Sequence, residues 1–373
     1  MRIKAAILAN MGAARPYKDS RPLDVREVEL DPPGAGEVLV RIKAAGLCHS
    51  DLSVINGDRP RVMPMALGHE AAGIVESVGS GVTTVAPGDH VAMVFVPSCG
   101  HCIPCATGRP ALCEPGNAAN GVGTLLSGKR RLHEGEAHIN HHLGISAFAE
   151  AAVVSEKSVV KIDPSLAFDE AALFGCAVLT GMGAVVNTAQ VKAGDSVAIV
   201  GMGGVGFSAL LAAAAAGARE IVAVDLLDAK LETAKQLGAT AVYNARDENV
   251  VHSIKSCHPR IDIAIETAGS ARALELAYKI TGRGGTTVTA GLANPADNIK
   301  IQQVSLVAEE RTLKGSYVGS CVPLRDIPNY VAMYQAGRLP INRLLSERVS
   351  LDGLNEAFDR LADGNTIRQV LVL

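Results

Sequence analysis

The hydrophobic pattern changes character part-way along the chain. Up to about residue 175, short apolar runs recur between glycine- and proline-rich turns, as in EVLVRIKAAG (37–46) and GDHVAMVF (88–95). Runs of small and β-branched apolar residues bounded by turn formers predict a β-rich unit. From about 195 the pattern becomes strand, helix, strand. SVAIV (196–200) is continuously apolar apart from its serine, an alanine-rich helical stretch follows, and EIVAVD (220–225) is a second strand. The later runs AVYN, DIAIET, TTVTAGL and TLKGSYVG bring the count to about six strands. Strands alternating with helices predict a doubly wound parallel sheet. IRQVLVL (367–373) reads as a strand that returns to close the first unit. The expected fold class is α/β. It has a β-rich domain over 1–177, completed by 318–373, and a doubly wound domain over 178–317, with the active site in the cleft between them.

The turn after the first strand of the second domain carries Gly201, Gly203, Gly204 and Gly206 in GMGGVG. Glycines there let a pyrophosphate approach the backbone at a helix N-terminus, where unpaired N–H groups and the helix dipole favour an anion. The motif follows a strand, opens a helix, and has Asp225 at the end of the next strand. That context makes it a Rossmann dinucleotide fingerprint rather than a chance glycine run. A carboxylate at Asp225 can accept both hydroxyls of an adenosine ribose and repels a 2′-phosphate. The residues that follow are Leu226, Leu227 and Asp228, with no arginine, so the expected cofactor is NAD rather than NADP.

Composition narrows the partners. The 373 residues carry a formal charge of −3, contain no Trp, and show no run of five basic residues. That argues against nucleic acid or an anionic membrane as the main partner and leaves a small molecule. MRIKAAILAN lacks a signal-peptide core, and ALLAAAAAGA (209–218) is too short to span a bilayer. A cytoplasmic protein is expected, in which structural disulfides are disfavoured.

Cysteine spacing then becomes informative. CGHCIPCATGRPALC places Cys99, Cys102, Cys105 and Cys113 with two, two and seven residues between them. Four thiolates so spaced can converge on one tetrahedral zinc at about 2.3 Å, and such a closed site is structural. Gly100, Pro104 and Gly108 permit the turns. A second set is dispersed: Cys48 and Asp51 in AAGLCHSDLS, His69 and Glu70 in MALGHEAAGIVESVG, and Cys176 in ALFGCAVLTG. Cys, His and Cys make an open zinc site with a fourth position left for water or substrate.

With the GHE segment, the four-cysteine lobe, the GC segment and the nucleotide motif, the whole chain resembles the zinc-dependent medium-chain alcohol dehydrogenases. The resemblance implies a GroES-like catalytic domain, a catalytic zinc on Cys48, His69 and Cys176, and two zinc ions per chain. It implies that Asp51 orients His69 and that Glu70 lies near the metal, either pairing with Arg368 or approaching the zinc transiently. Lys230 is expected on the cofactor ribose, His49 and Arg368 on the pyrophosphate, and Val205 behind the nicotinamide. Ser50 is expected to bond the reacting oxygen and pass its proton onward. Many relatives place a histidine three residues later, where this chain has Ser53.

Phe95 and Leu143 are expected to line the substrate pocket, with Arg59 at its mouth. This points to a primary or secondary alcohol that is apolar, aromatic or medium-chain. Polyol or amino-alcohol oxidation, oxidation of the glutathione adduct of formaldehyde, and a non-catalytic redox-sensing role are the alternatives. His138, His141 and His142 read as loop and pocket-rim residues, and Cys257 and Cys321 as packing residues. The long loop from Glu114 to Asn140 resembles that of the dimeric branch, so a homodimer is expected.

Overall fold

Alternation in β1 (Arg2–Leu8) and β2 (Leu23–Leu30) sends Ile3, Ala5, Ile7, Val28 and Leu30 into one core. The computed structural model describes residues 1–373 and divides into two units. The first comprises Met1–Cys176, Val322–Ala332 and Leu345–Leu373; the second comprises Ala177–Cys321 and Met333–Leu344. In the first unit, β1 and β2 close a small barrel with β7 (Leu132–Glu134), β8 (Ala137–His141) and β4 (Met65–Ala66).

A second sheet of this unit centres on β3 (Glu37–Gly46), with β5 (Ala71–Val78), β6 (His90–Met93) and β10 (Val159–Lys161) to one side. β9 (Ala151–Ser155) also pairs with β3. The antiparallel register Ala44↔Ala72 and Ala45↔Ala71 sets the end of β3 beside the start of β5, and Gly46 N–H donates to the Glu70 carbonyl at 2.7 Å. Residues just after β3 and just before β5 therefore meet.

The second unit is a six-stranded parallel sheet. Its strands are β11 (Ser196–Val200), β12 (Glu220–Asp225), β13 (Ala241–Asn244), β14 (Ile263–Glu266), β15 (Thr286–Thr289) and β16 (Thr312–Gly315). Their order is β13-β12-β11-β14-β15-β16, so the direction of winding reverses beside β11. Ligands of such sheets sit at the carboxyl ends of the strands at that reversal. The fold is mixed α/β with a Rossmann-type unit. The chain then completes the first unit with β17 (Leu345–Val349) and β18 (Arg368–Val372), and Val370↔Gly46 places β18 against the end of β3.

Two details differ from the sequence reading. The tail 318–373 is not one piece of the catalytic unit, because Met333–Leu344 rejoins the nucleotide unit. Leu339, Ile341 and Leu344 are buried there, and Arg343 donates to the Gln236 carbonyl at 3.3 Å. Nor is 114–140 a long loop. Residues Glu114–Val122 are helical, stopped by Gly123 at φ 72°, and β7 and β8 form a hairpin within the barrel. No single helix is long and apolar enough to cross a membrane.

Candidate active site and metal centres

In the cysteine lobe, the sulfurs of Cys99, Cys102, Cys105 and Cys113 all lie within 4.8 Å of one another, and none is in a disulfide. A tetrahedron with about 2.3 Å arms has edges of roughly 3.8 Å, so this spacing suits zinc. Gly100 and Gly108, at φ 85° and 79°, make the tight turns. Backbone amides already point at sulfur: Cys99 N–H at 3.2 Å and Gly116 N–H at 3.4 Å from Cys113 Sγ, and Cys102 N–H at 3.3 Å from Cys99 Sγ. Desolvation opposes ionising Cys99, but backbone and thiol donors outweigh it and bring its pKa to about 6. Desolvation pushes Cys105 up to about 12, so without a cation the set would not ionise together.

The second cluster forms where β3 and β6 end and β5 begins. Cys48 caps the helix His49–Ile55, and His69 and Glu70 precede β5. Gly175 lies against the end of β6, where a Cβ would fall 2.2 Å from the Met93 carbonyl oxygen, and this close approach delivers Cys176. One donor atom from each of Cys48, His69, Glu70 and Cys176 falls within a 4.8 Å group, and all four residues are buried. His69 Nδ1 is 3.1 Å from Asp51 Oδ1, whereas its buried Nε2 has no hydrogen-bond partner. An imidazole anchored at one nitrogen and orphaned at the other beside two thiols is the donor set of an open zinc site.

The electrostatics fit a cation. A hydrogen bond with Cys176 lowers the Cys48 pKa and raises that of Cys176, so the pair shares a proton. Burial opposes charge on His69, yet Asp51 overrides it and raises the imidazole pKa. Burial also acts against an ionised Asp51, but His69 and His142 hold it at about 2. Glu70 is pushed up to about 7 by burial, against the pull of Arg368 3.5 Å away, and neither of its oxygens has a hydrogen bond. Gly46 makes room for it, since a Cβ there would lie 2.7 Å from Glu70 Oε1.

The other expected residues fall as follows. Ser50 is half-buried, with Oγ 3.8 Å from Cys48 Sγ. Ser53 donates its hydroxyl to the His49 carbonyl at 2.8 Å, a bond within its own helix, and His49 is exposed. Phe95 is buried edge-on against His69, with ring centroids 5.2 Å apart; Leu143 is buried at φ 52°. Arg59 is half-exposed, its backbone N–H donating to the Ser53 carbonyl. Arg368 is only 4% exposed and donates to the Leu47 carbonyl at 2.9 Å, so it is buried beside Glu70 rather than presented as a surface cation.

The rim reading of the histidines needs correction. His138 is exposed, but His141 and His142 are buried. Arg131 N–H donates to His141 Nε2 at 3.0 Å, and burial lowers the His141 pKa to about 4. His142 Nδ1 lies 3.0 Å from Asp51 Oδ1. No spacing in the sequence pairs His142 with Asp51, so only the fold reveals the contact. Cys321 is buried as expected of a packing residue, but Cys257 is exposed.

In the nucleotide unit, Gly201 sits at φ 99°, and a Cβ there would lie 2.7 Å from Ala268 N. A Cβ on Gly206 would meet the Gly201 carbonyl oxygen at 1.8 Å, whereas one on Gly203 would stand in open space. Gly203 is the N-cap of the helix Gly204–Ala215, whose first turn contains Val205. At the end of β12, Asp225 accepts from Met202 N–H at 2.6 Å and from Leu227 N–H at 3.0 Å. Lys230 lies in the first turn of the next helix, Asp228–Gln236.

The alcohol dehydrogenase GroES-like domain family matches residues 34–164, and the zinc-binding dehydrogenase family matches residues 204–336. The chain belongs to the zinc-dependent medium-chain alcohol dehydrogenases. It is 40% identical to a putative alcohol dehydrogenase D of Mycobacterium tuberculosis over 364 residues, covering 96% of this chain and 99% of that one. It is 39% identical to an NDMA-dependent alcohol dehydrogenase of Amycolatopsis methanolica, covering 100% and 99%. The crystal structure of benzyl alcohol dehydrogenase from Acinetobacter calcoaceticus superposes with a TM-score of 0.93 at 32% identity, covering 100% and 99%. Alcohol dehydrogenase chemistry is thus the activity of the family to which this site belongs.

Proposed function

We propose that the protein is an NAD-linked, two-zinc alcohol dehydrogenase that moves hydride reversibly between the nicotinamide and an apolar primary or secondary alcohol, aromatic alcohols foremost. The observation that carries this reading is the unpartnered Nε2 of buried His69 beside Cys48 and Cys176, under the ring of Phe95. Cys48, His69 and Cys176 would hold the catalytic zinc, and Cys99, Cys102, Cys105 and Cys113 the structural one. Bound at such a site, zinc would lower the pKa of an oxygen ligand toward about 7 and polarise a carbonyl in the reverse direction.

The chain supplies the rest. Asp51 accepts from His69 Nδ1–H and so fixes the tautomer that leaves Nε2 as a lone-pair donor. Ser50 Oγ, 3.8 Å from Cys48 Sγ, would accept the alcohol proton while passing its own hydroxyl proton onward, ahead of hydride transfer. Ser53 holds its hydroxyl on the His49 carbonyl, so the proton leaves Ser50 through solvent or the exposed His49 ring. Gly203 and the first helical turn bind the pyrophosphate, and Asp225 with Lys230 the ribose. Apolar Phe95 and Leu143 supply no acceptor for a polyol. The 32% identity to a protein named benzyl alcohol dehydrogenase supports the aromatic reading.

The test is NADH formation at 340 nm with benzyl alcohol, hexanol, sorbitol and hydroxymethylglutathione, each with NAD and with NADP. The highest kcat/KM is expected for benzyl alcohol or hexanol with NAD. A preference for sorbitol or the glutathione adduct would overturn the substrate class, and a preference for NADP the cofactor.

A further inference from the structure

We propose that Glu266 is a positioning residue for the nicotinamide half of the cofactor, acting through two backbone loops that its carboxylate ties together. The proposal rests on the NAD reading above and adds a residue that the glycine motif does not contain.

Glu266 stands out by its burial. It is 1% exposed and is the one buried charged side chain of the nucleotide unit. A carboxylate taken out of water is costly unless donors replace the water. Burial accordingly raises its pKa, against the pull of the Thr289 hydroxyl and neighbouring amides. Its donors come from two separate loops. Oε1 accepts from Gly269 N–H at 2.5 Å, and Oε2 accepts the Thr289 hydroxyl at 2.7 Å. The Glu266 carbonyl also accepts from Ala290 N–H at 2.8 Å and Gly291 N–H at 3.2 Å.

The two loops meet backbone to backbone. A Cβ on Gly291 would lie 2.2 Å from Gly269 N and 2.8 Å from Glu266 Oε1, and one on Gly269 would lie 2.9 Å from the Leu292 carbonyl oxygen. No side chain fits between them there, so the carboxylate is the side-chain tie that sets their spacing. The first loop is fastened in turn to the glycine turn. Thr267 donates its hydroxyl to the Gly201 carbonyl at 2.6 Å, and a Cβ on Gly201 would lie 2.7 Å from Ala268 N. The glycine turn and both loops form one braced rim.

Strand order says what crosses this rim. Glu266 ends β14, which neighbours β11 on the side opposite β12. A dinucleotide bound at a winding reversal lies across it, with its pyrophosphate at the glycine turn. Asp225 ends β12 and is assigned the adenosine ribose, so the other half of the cofactor passes over the ends of β14 and β15. The crests of the rim there, Ala268 and Leu292, are exposed. Glu266 lies beneath them and holds the surface against which the nicotinamide rests.

The experiment titrates the zinc-loaded enzyme with NADH, followed by its fluorescence, and with AMP, followed by calorimetry. AMP carries the adenosine half alone. Glu266→Met keeps the length of the side chain and removes both acceptors. Glu266→Gln keeps an acceptor for Gly269 and offers an N–H to Thr289, whose hydroxyl can turn to accept it. Thr289→Val removes one tie at nearly constant volume. Glu266→Met should raise the Kd for NADH about tenfold or more and leave that for AMP within about twofold. Its kcat should fall as well, because a loosely held ring reaches the hydride-transfer geometry less often. Glu266→Gln should recover most of both, and Thr289→Val should show the same split at a few-fold.

Wild-type affinity for NADH in Glu266→Met would overturn the proposal. So would an equal loss of NADH and AMP, since loosening of the whole unit weakens both halves. Glu266→Gln as weak as Glu266→Met would overturn it too, because the tie needs only an acceptor. Were Glu266→Met to misfold, Thr289→Val would decide: wild-type affinity for NADH, or a loss shared with AMP, would overturn the proposal. If wild-type protein bound neither nucleotide, the cofactor reading itself would fail, an outcome visible before any variant is made.

Discussion

Asp225 closes β12 with both carboxylate oxygens on backbone amides, those of Met202 and Leu227. These bonds tie the glycine turn to the end of the neighbouring strand and leave further lone pairs for a ribose. Deleting the side chain would remove the turn's anchor along with the recognition group, so Asp225→Asn is the sharper probe: it keeps an acceptor and removes the charge. Hydrogen bonds to a charged group contribute about 1.5–3 kcal/mol, and about 1.4 kcal/mol is tenfold in binding. The KM for NAD should rise roughly ten- to a hundredfold, and the NADP-to-NAD ratio of kcat/KM should rise with it as repulsion of the 2′-phosphate is relieved. An unchanged ratio would show that Asp225 only braces the turn. Asp225 was legible because its position at the end of a strand is a fixed distance from the glycines. His142 was not, since its partner lies on another element and two adjacent histidines after a polar stretch look like surface. The burial of Arg368 was hidden for a similar reason: its pairing with Glu70 follows from the register of β18 on β3.

At the scale of elements, the strands were the most readable feature. EVLVRIKAAG and AVYN coincide with β3 and β13, because turn formers bound each run and the side-chain period is two. Pieces whose apolar runs are weak and broken by glycines were misread, notably the helix and hairpin after Cys113, as was the segment Met333–Leu344, whose docking partner is fixed only in three dimensions. One helix contact makes a stability prediction. Asp359, in the helix Leu354–Ala362, accepts from Tyr17 N–H at 2.8 Å and Lys18 N–H at 2.9 Å, and pairs with Arg15 at 3.3 Å. Partial desolvation opposes its charge, but these donors prevail and hold its pKa below the usual range. A carboxylate lowered in the folded state stabilises it above the unfolded pKa of about 3.9, and that contribution is lost as pH falls through the folded value. Asp359→Asn should therefore cost about 1–3 kcal/mol at pH 7, read from urea unfolding of the metal-free proteins. The gap from wild type should narrow below about pH 4. A gap that stayed constant to pH 2.5 would mean that the lost interaction is not ionic.

For the molecule as a whole, the two proposed metal centres would make different demands. The lobe has little core of its own: its elements are the short turns Ile103–Ala106 and Pro110–Leu112, and Ile103 is 76% exposed. Four converging thiols separated by such turns repel one another once ionised, so the fold there is expected to depend on a cation. Metal held only by folded protein contributes its binding energy to folding. The catalytic cluster is the opposite case. Sheet register and buried neighbours hold Cys48, His69 and Cys176, so this cluster is expected to form ahead of the metal. Removing one ligand from each site should separate the two roles. Wild type, purified without chelator, should carry two zinc ions per chain. Cys105→Ala should carry one, melt several degrees lower, and be cut by chymotrypsin at the lobe, where Leu112 is exposed. Cys48→Ala should also carry one, keep the lobe resistant and most of the melting temperature, and lose alcohol oxidation by at least about a thousandfold, since metal activation of the alcohol has no substitute in the chain. If Cys105→Ala matched wild type in zinc content and protease resistance, the lobe would be held by its amide-to-sulfur bonds alone. If Cys48→Ala destabilised the fold as much as Cys105→Ala, the catalytic site would not be preformed, and metal binding would help to assemble it.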